Sequence, residues 1–421
     1  MNNASRACVF VLAAGLFILS APIAITGDGS ESFQALCKEG KAAEYPCKAV
    51  DLAASLDLGN SGHPAKAGND IWGWTDPQTG KEYALMGLSS KTSFVDVTDP
   101  AHPRHIGDLR TATENSIWRD IKVYKDHAFI VSEAFDHGMQ VFDLTRLRGH
   151  EGAPEIFDAD ARYTKFGSVH NVVINEESGF AYAVGSNTCD AGMHVVDIRN
   201  PKNPTFSTCV DRSVFEPVPT ADPHGEDYTH DAQCVIYKGP DSRYQGRELC
   251  FCSNADTVNI VDVTDKSKPT QIAVSKYTGL GYTHQGWLTE DQRYFFLGDE
   301  LDEMQFGHKT KTLVWDFSDL HAPKHVGSFH STENAIDHNM YVVGNLLYQA
   351  NYDAGLRILK LGDLGKAELT EVAYFDTEPT SNVAEFDGAW SVYPFFKSGT
   401  VVVSNIDATL YVLRPHAGLD K

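Results

Sequence analysis

Four histidines stand in near-equivalent surroundings along this chain. Tyr282-Thr283-His284-Gln285-Gly286-Trp287 has its closest echo in Tyr228-Thr229-His230-Asp231-Ala232-Gln233, and looser ones in Ser168-Val169-His170-Asn171 and Ile336-Asp337-His338-Asn339. A neutral imidazole is a good ligand for Zn, Cu, Fe, Ni or Mn, so these four side chains brought to one place would make a transition-metal centre. Nearby carboxylates would orient the rings by accepting the second ring N–H, and Asp231, Asp337, Glu133 and Glu300 are the candidates. Without a metal, the same residues would make a polar ligand site or hydrogen-bond adjacent repeats. Arg119 is suited to a substrate carboxylate, or to an ion pair with Asp120 or Glu133. The catalytic candidates are therefore Arg119, Asp120, Asp231, Glu133 and Glu300. The run Asp299-Glu300-Leu301-Asp302-Glu303, with His308 behind it, has the hard oxygen donors of a Ca²⁺ site and also the composition of a solvated loop. No GxSxG, HExxH, Walker or GxGxxG pattern occurs, which leaves serine-hydrolase, zincin and nucleotide chemistry unsupported.

Equivalent histidines need equivalent scaffolds, and the chain supplies them as a repeat. Phe94-Val95-Asp96-Val97-Thr98-Asp99-Pro100 returns as Val141-Phe142-Asp143-Leu144-Thr145 and as Val195-Val196-Asp197-Ile198-Arg199-Asn200-Pro201. It returns again as Ile260-Val261-Asp262-Val263-Thr264-Asp265 and Val314-Trp315-Asp316-Phe317-Ser318-Asp319. Leu356-Arg357-Ile358-Leu359-Lys360-Leu361 and Leu410-Tyr411-Val412-Leu413 are decayed copies. The copies are roughly 50–60 residues apart, the period of propeller blades. Each unit holds four short runs rich in Val, Ile, Phe and Tyr, separated by turn residues. In the second unit these are Ile121 to Tyr124 (A), Ala128 to Ser132 (B), Met139 to Leu144 (C) and Glu155 to Ala159 (D). The sequence therefore predicts an all-β fold, a seven-bladed β-propeller of four-stranded blades. The last unit ends after its strand C, Thr409 to Leu413. The segment Ala49 to Leu58 has strand character and is expected to complete it, so that no sheet edge is left open.

In a propeller strand A lines the channel, and the D–A and B–C connections share one face. The residues opening strand A are Asn69, Arg119, His170, His230, His284, His338 and Trp390. Those ending strand B are Glu133, Asn187, Asn254, Asp299 with Glu300, Asn351 and Asn405. They predict one polar funnel with the imidazoles on one side. His170, His230, His284 and His338 are the expected metal ligands, holding Fe, Cu, Zn or Mn, and a small-molecule or glycan ligand is expected at the channel mouth. Trp118 and Trp390 are placed to face that mouth, whereas Trp72, Trp74 and Trp287 fit the core or the blade interfaces. Asp136-His137 and Asp222-Pro223-His224 lie on loops able to cover it. Carotenoid-cleaving oxygenases, with iron on four axial histidines, and the manganese-holding oligogalacturonate lyases offer an analogy of architecture alone.

The repeat, read as an LVIVD-type motif at Val195-Val196-Asp197-Ile198 and Ile260-Val261-Asp262-Val263, resembles that of the secreted choice-of-anchor B proteins. So do Asn69-Asp70-Ile71-Trp72-Gly73-Trp74, Trp118-Arg119-Asp120-Ile121-Lys122-Val123-Tyr124 and the two Tyr-Thr-His segments. The resemblance extends from about Cys37 to Pro415 and implies an exported propeller. It implies no particular activity. Many members of that family carry a C-terminal anchoring tail, and His416-Ala417-Gly418-Leu419-Asp420-Lys421 does not have its composition.

Cysteine usage agrees with export, and the net charge bears on partners. Lys+Arg 35 against Asp+Glu 57 gives a formal net charge of −22 over 421 residues, which opposes nucleic acid and anionic membrane surfaces. Arg6, the apolar Ala7 to Leu19 and the small residues Ser20, Ala21 and Ala24 have the form of a secretory signal. The expected organisation is a signal peptide over 1–25, a disulfide-bearing segment over 26–48, the propeller over 49–415 and a tail over 416–421. After signal removal no membrane span is expected, and the protein is placed outside the cell, in the periplasm or in the cell envelope. Cys37 and Cys47 are expected to pair, as are Cys189 and Cys209; Cys234, Cys250 and Cys252 leave one thiol over if two of them bond. Two functions follow. One is a metalloprotein, an enzyme acting on a small organic molecule or glycan; the alternative is a non-catalytic binding or scaffold propeller of the cell envelope.

Overall fold

The computed structural model describes residues 35–60, 67–211, 213–215 and 228–420. The signal segment, Cys8 and Asp222-Pro223-His224 lie outside the described residues. Short β-branched and aromatic runs buried on both faces form seven antiparallel sheets arranged as a ring, a seven-bladed β-propeller. Blade 3 shows the unit: strand A, Asn171–Asn175, pairs with B, Phe180–Val184, then C, Met193–Asp197, then D, Thr205–Val210.

The repeated aspartate has a local physical cause. It ends strand C and turns the chain: the Oδ1 atoms of Asp96, Asp143, Asp197, Asp262 and Asp316 accept from the backbone N–H two residues on, at 2.8–3.1 Å. The pair of apolar residues before it marks a register shift between strands C and D, at Phe94/Val95, Val195/Val196, Ile260/Val261 and Val314/Trp315. Such a bulge bends and twists the outer strand. Neighbouring blades then pack face to face through aromatic contacts such as Phe94–Phe142, 4.6 Å between centroids, and Phe251–Phe317, 5.4 Å. Glycine is required at Gly286, where a Cβ would lie 2.3 Å from the Phe295 ring.

The ring closes as the sequence suggests. Val50–Asp57 pairs antiparallel with Thr409–Pro415 and forms the outer strand of blade 7. Just before it, Lys41–Ala42 and Tyr45–Lys48 form a hairpin on the outer strand of blade 6, Leu369–Phe375. The N-terminal segment thus bridges blades 6 and 7, with Cys37–Cys47 bonded beside the junction. Cys189–Cys209 is also bonded, and the third bridge is Cys234–Cys250. These two face each other across strands A and B of blade 4, whereas Cys252 sits opposite Ala232 and is left as a buried thiol.

One strand assignment is corrected. Glu155 to Ala159 is not strand D of blade 2. Glu155–Phe157 runs parallel to Arg104–Arg110 as a fifth strand of blade 1, and Ala161–Tyr163 is the outer strand of blade 2. Both runs alternate well enough to pair with an exposed edge, and only the path of the chain between them decides which takes which.

Between blades 1 and 2, the fully covered Asp76 carboxylate receives Arg148 through Nε at 2.9 Å and Nη2 at 2.7 Å, Thr79 Oγ1 at 2.6 Å and the Gln78 N–H at 2.9 Å. Burial acts to raise its pKa, but these hydrogen bonds outweigh burial and hold it down at about 2. A depressed carboxylate stabilises the fold fully above its unfolded value near 4, and that contribution is lost as pH falls through 2. Asp76→Asn is expected to cost about 2 kcal/mol at pH 7. Urea unfolding should show the gap from wild type closing between pH 4 and pH 2; a gap of equal size at both ends would refute the ion-pair account.

Candidate functional site

The four histidines meet at the end of the channel formed by the starts of strands A. Their rings stand side by side in an arc: His170–His230 4.2 Å between centroids, His230–His284 4.3 Å and His284–His338 4.3 Å. His230, His284 and His338 are buried. Hydrogen bonds across the blade junctions set the tautomers. His230 Nδ1 lies 2.9 Å from the His284 carbonyl and His338 Nδ1 bonds the Trp390 carbonyl, so in both rings Nδ1 carries the proton and donates it. His170 Nδ1 lies 2.6 Å from Glu133 Oε1 and donates in the same way. In each of these rings the lone pair is left on Nε2. His284 Nδ1 has no hydrogen-bond partner.

Glu300, from the end of strand B in blade 5, reaches into this arc. Its Oε2 is 3.6 Å from His284 Nε2 and its Oε1 is 3.5 Å from His338 Nε2. These separations exceed a hydrogen bond. They are close to the edge of about 3.4 Å between two ligands that each sit 2.0–2.1 Å from a tetrahedral ion. His230, His284 and Glu300 each bring one ligand atom to within 4.8 Å of the other two. Tyr352, which sequence reasoning did not single out, donates its hydroxyl to Glu300 Oε1 at 2.8 Å and stands 4.7 Å from the His338 ring. The signal for it was available, since it directly follows Asn351 at the end of a strand B.

Burial dominates the electrostatics. It holds His230 and His284 well below the ordinary imidazole range, assisted by the neighbouring imidazoles, and pushes His338 down to about 3. His170 moves the other way: burial opposes protonation, but the hydrogen bond and charge of Glu133 prevail and raise it. Burial also raises Glu300 to about 7. Three rings of the arc are therefore neutral at neutral pH, the state in which imidazole ligates metal.

Above the rings lies a cavity of about 290 Å³ lined by Ile117, Trp118, Tyr352, Phe386 and Trp390, with the histidines and Glu300 as its floor. Trp118 and Trp390 thus face the mouth. Below, the channel narrows around Arg119, Asn171 and Asn339. Arg119 is fully buried and meets neither Asp120 nor Glu133; its Nε donates to the Leu88 carbonyl at 3.0 Å and its Nη1 to His137 Nε2 at 3.1 Å. Burial depresses it to about 10. His137 is itself buried, and braces Arg119 rather than covering the mouth.

The residues one step further along strand A point elsewhere. Asp120 accepts from the Val172 N–H of the next blade at 2.7 Å and from Lys122 Nζ at 2.5 Å. Gln285 exchanges hydrogen bonds with the Met340 N–H at 3.0 Å and carbonyl at 3.1 Å. Both staple blade to blade. Asp231 lines a separate chamber of about 260 Å³ toward the other end of the channel, with Lys122, Trp72, Trp287 and Tyr341. The funnel foreseen as continuous is thus divided by the ring of histidines and staples. Asp337 is buried without a hydrogen-bond partner, and the charges acting on it are chiefly those of Glu303 and Asp302.

No protein-family model matches the sequence, and no curated protein is similar to it. Solved structures are similar in fold. A crystal structure of a protein from Lactobacillus plantarum has a TM-score of 0.51 at 17% identity, covering 80% of this chain and 89% of that one. The Cps50 (Swd1) β-propeller domain of Myceliophteria thermophila has a TM-score of 0.49 at 11% identity, covering 78% of this chain and 92% of that one. The likeness shows the fold alone: the chain is a β-propeller.

Proposed function

We propose that this protein is an exported metalloprotein whose axial funnel holds a transition-metal ion on His230, His284 and Glu300, with His338 completing the set, and that it acts on a small organic molecule entering through the mouth. The observation that carries this reading is the convergence of these ligand atoms at the floor of a cavity. The mixed imidazole and carboxylate donor set is one that Fe, Cu, Zn and Mn share. A metal held there would supply Lewis-acid or redox chemistry. The protein's own part is to keep the rings neutral and oriented, hold Glu300 through Tyr352, and shield the floor from bulk water with Trp118, Phe386 and Trp390. The mouth lining favours a molecule with an apolar or aromatic portion over a fully hydroxylated glycan. Export is supported by the resemblance to secreted choice-of-anchor B propellers and by three disulfides, which fit an oxidising compartment. Among the described residues no helix is long and apolar enough to cross a membrane.

A binding or scaffold role is the second reading. It is favoured by the exposed Phe135, Phe306, Met304 and Ile117, which lie on the strand-A and B–C connections around the mouth. Elemental analysis of untagged protein, before and after reconstitution, discriminates the two. The metalloprotein reading expects about one ion lost in the His230→Ala, His284→Ala double variant. Equal metal content in that variant and the wild type would overturn it.

A further inference from the structure

Beside this centre, and independent of whether it holds metal, lies a group of side chains arranged as if around something. We propose that the loop after Glu300 in blade 5 forms a second divalent-cation site, with Asp302 Oδ1, Glu303 Oε2 and His308 Nε2 as ligands.

The argument begins with which atoms are already engaged. Asp302 Oδ2 is ion-paired with Lys311 Nζ. Glu303 Oε1 accepts the Lys311 backbone N–H at 2.9 Å. His308 Nδ1 lies 2.9 Å from the Lys309 carbonyl, so it carries and donates the ring proton. What remains is one lone-pair atom on each residue, and none of the three has a hydrogen-bond partner. These atoms face one another: His308 Nε2 lies 3.6 Å from Asp302 Oδ1, and all three residues bring a ligand atom to within 4.8 Å of the others. Acceptors aimed at acceptors in a buried place are repulsive unless a proton or a metal ion sits between them.

The surroundings are also acidic: Asp337 is fully buried, neither of its carboxylate oxygens has a hydrogen-bond partner, and the charges acting on it are chiefly those of Glu303, Asp302 and Asp299. Asp299 is otherwise satisfied, by the N–H groups of Gly281 at 2.8 Å and Tyr282 at 2.6 Å and by the Tyr277 hydroxyl at 2.7 Å. Lys311 supplies one positive charge, paired with Asp302, and a divalent cation would take the place of the protons that burial otherwise favours on the other carboxyl groups. The donor set contains an imidazole, which suits Mn²⁺ or Zn²⁺ better than Ca²⁺, whose ligands are oxygens. The location gives the site its consequence. Asp302 is two residues from Glu300, so a cation here fixes the backbone that carries one member of the axial centre.

Chelator-stripped protein would be titrated with Mn²⁺, Zn²⁺ and Ca²⁺ by calorimetry, with bound metal counted by elemental analysis. The Glu303→Gln, His308→Ala variant is expected to take up one ion fewer than wild type, and the His230→Ala, His284→Ala variant to retain one. If the axial centre holds no metal, wild type should bind one ion and the Glu303→Gln, His308→Ala variant none, which separates failure of that reading from failure of this one. Equal uptake by wild type and the Glu303→Gln, His308→Ala variant, or no uptake by the axial variant, would overturn the second site. Binding of Ca²⁺ as tight as that of Mn²⁺ would overturn the assignment of the ion. Should the double variant fail to fold by circular dichroism, the half-exposed His308→Ala alone is used, and an affinity lowered tenfold or more is expected.

Discussion

Glu300→Gln is expected to weaken metal retention at the axial centre by at least about 100-fold, about 2.7 kcal/mol, without loss of fold. The substitution keeps the size of the side chain and its ability to accept from the Tyr352 hydroxyl. It removes the negative charge, and with its oxygen held by Tyr352 it turns its NH₂ group toward His284 Nε2, now 3.6 Å away. An amide that donates to that nitrogen consumes a lone pair that would bind the ion. Competition against a chromophoric chelator measures the change. The thermal midpoint of the metal-free protein should stay level or rise, because a buried carboxylate without a salt-bridged partner is removed. An unchanged metal affinity would show that Glu300 is packing and not a ligand. Tyr352→Phe removes the hydroxyl that holds Glu300 in place: it should cost about tenfold, the usual size of a lost hydrogen bond to a metal ligand.

The second large effect concerns closure. Leu56→Asp is expected to destabilise the protein by at least about 3 kcal/mol, because it buries a charge with no partner. Leu56 is 2% exposed, pairs with Leu410 across the closing strand, and packs in the core shared by blades 7 and 1. Its neighbour Ser55 points to the other face and is only half-buried, so Ser55→Asp is the matched control. Urea unfolding should show Leu56→Asp well below both wild type and control. Equal stability of the two variants would mean that this strand does not hold the ring shut.

The blades were legible in the sequence because their signals are local. An apolar run of period two, a turn, and an aspartate that caps the following backbone N–H need only their own neighbours. The error at Glu155 to Ala159 arose where that locality failed, since two short runs compete for edges of different blades. Cys234, Cys250 and Cys252 were ambiguous for a similar reason: the sequence places two of them on one strand, but only the register across the sheet puts Cys234 opposite Cys250. In the funnel, the positions of His170, His230, His284 and His338 followed from the repeat. Arg119, Asp120 and Asp231 were harder to place. One residue along strand A turns a side chain from the mouth to the far chamber, and a buried guanidinium takes whatever acceptors surround it.

By itself, then, the sequence determined that seven similar units close into a ring through an N-terminal strand, and that four consecutive units place an imidazole at one level of the axis. Repetition carries that information, since like units must stack alike. Which atoms of those imidazoles are free, that Glu300 stands among them and Glu133 behind His170, and that the charges acting on Asp337 are chiefly those of Glu303 and Asp302 were decided only by the tertiary structure. Those relations join neighbouring blades, as Glu133 and His170 do across 37 residues, or different strands of one blade, and depend on ångström-scale offsets of strands and sheets that no residue pattern encodes.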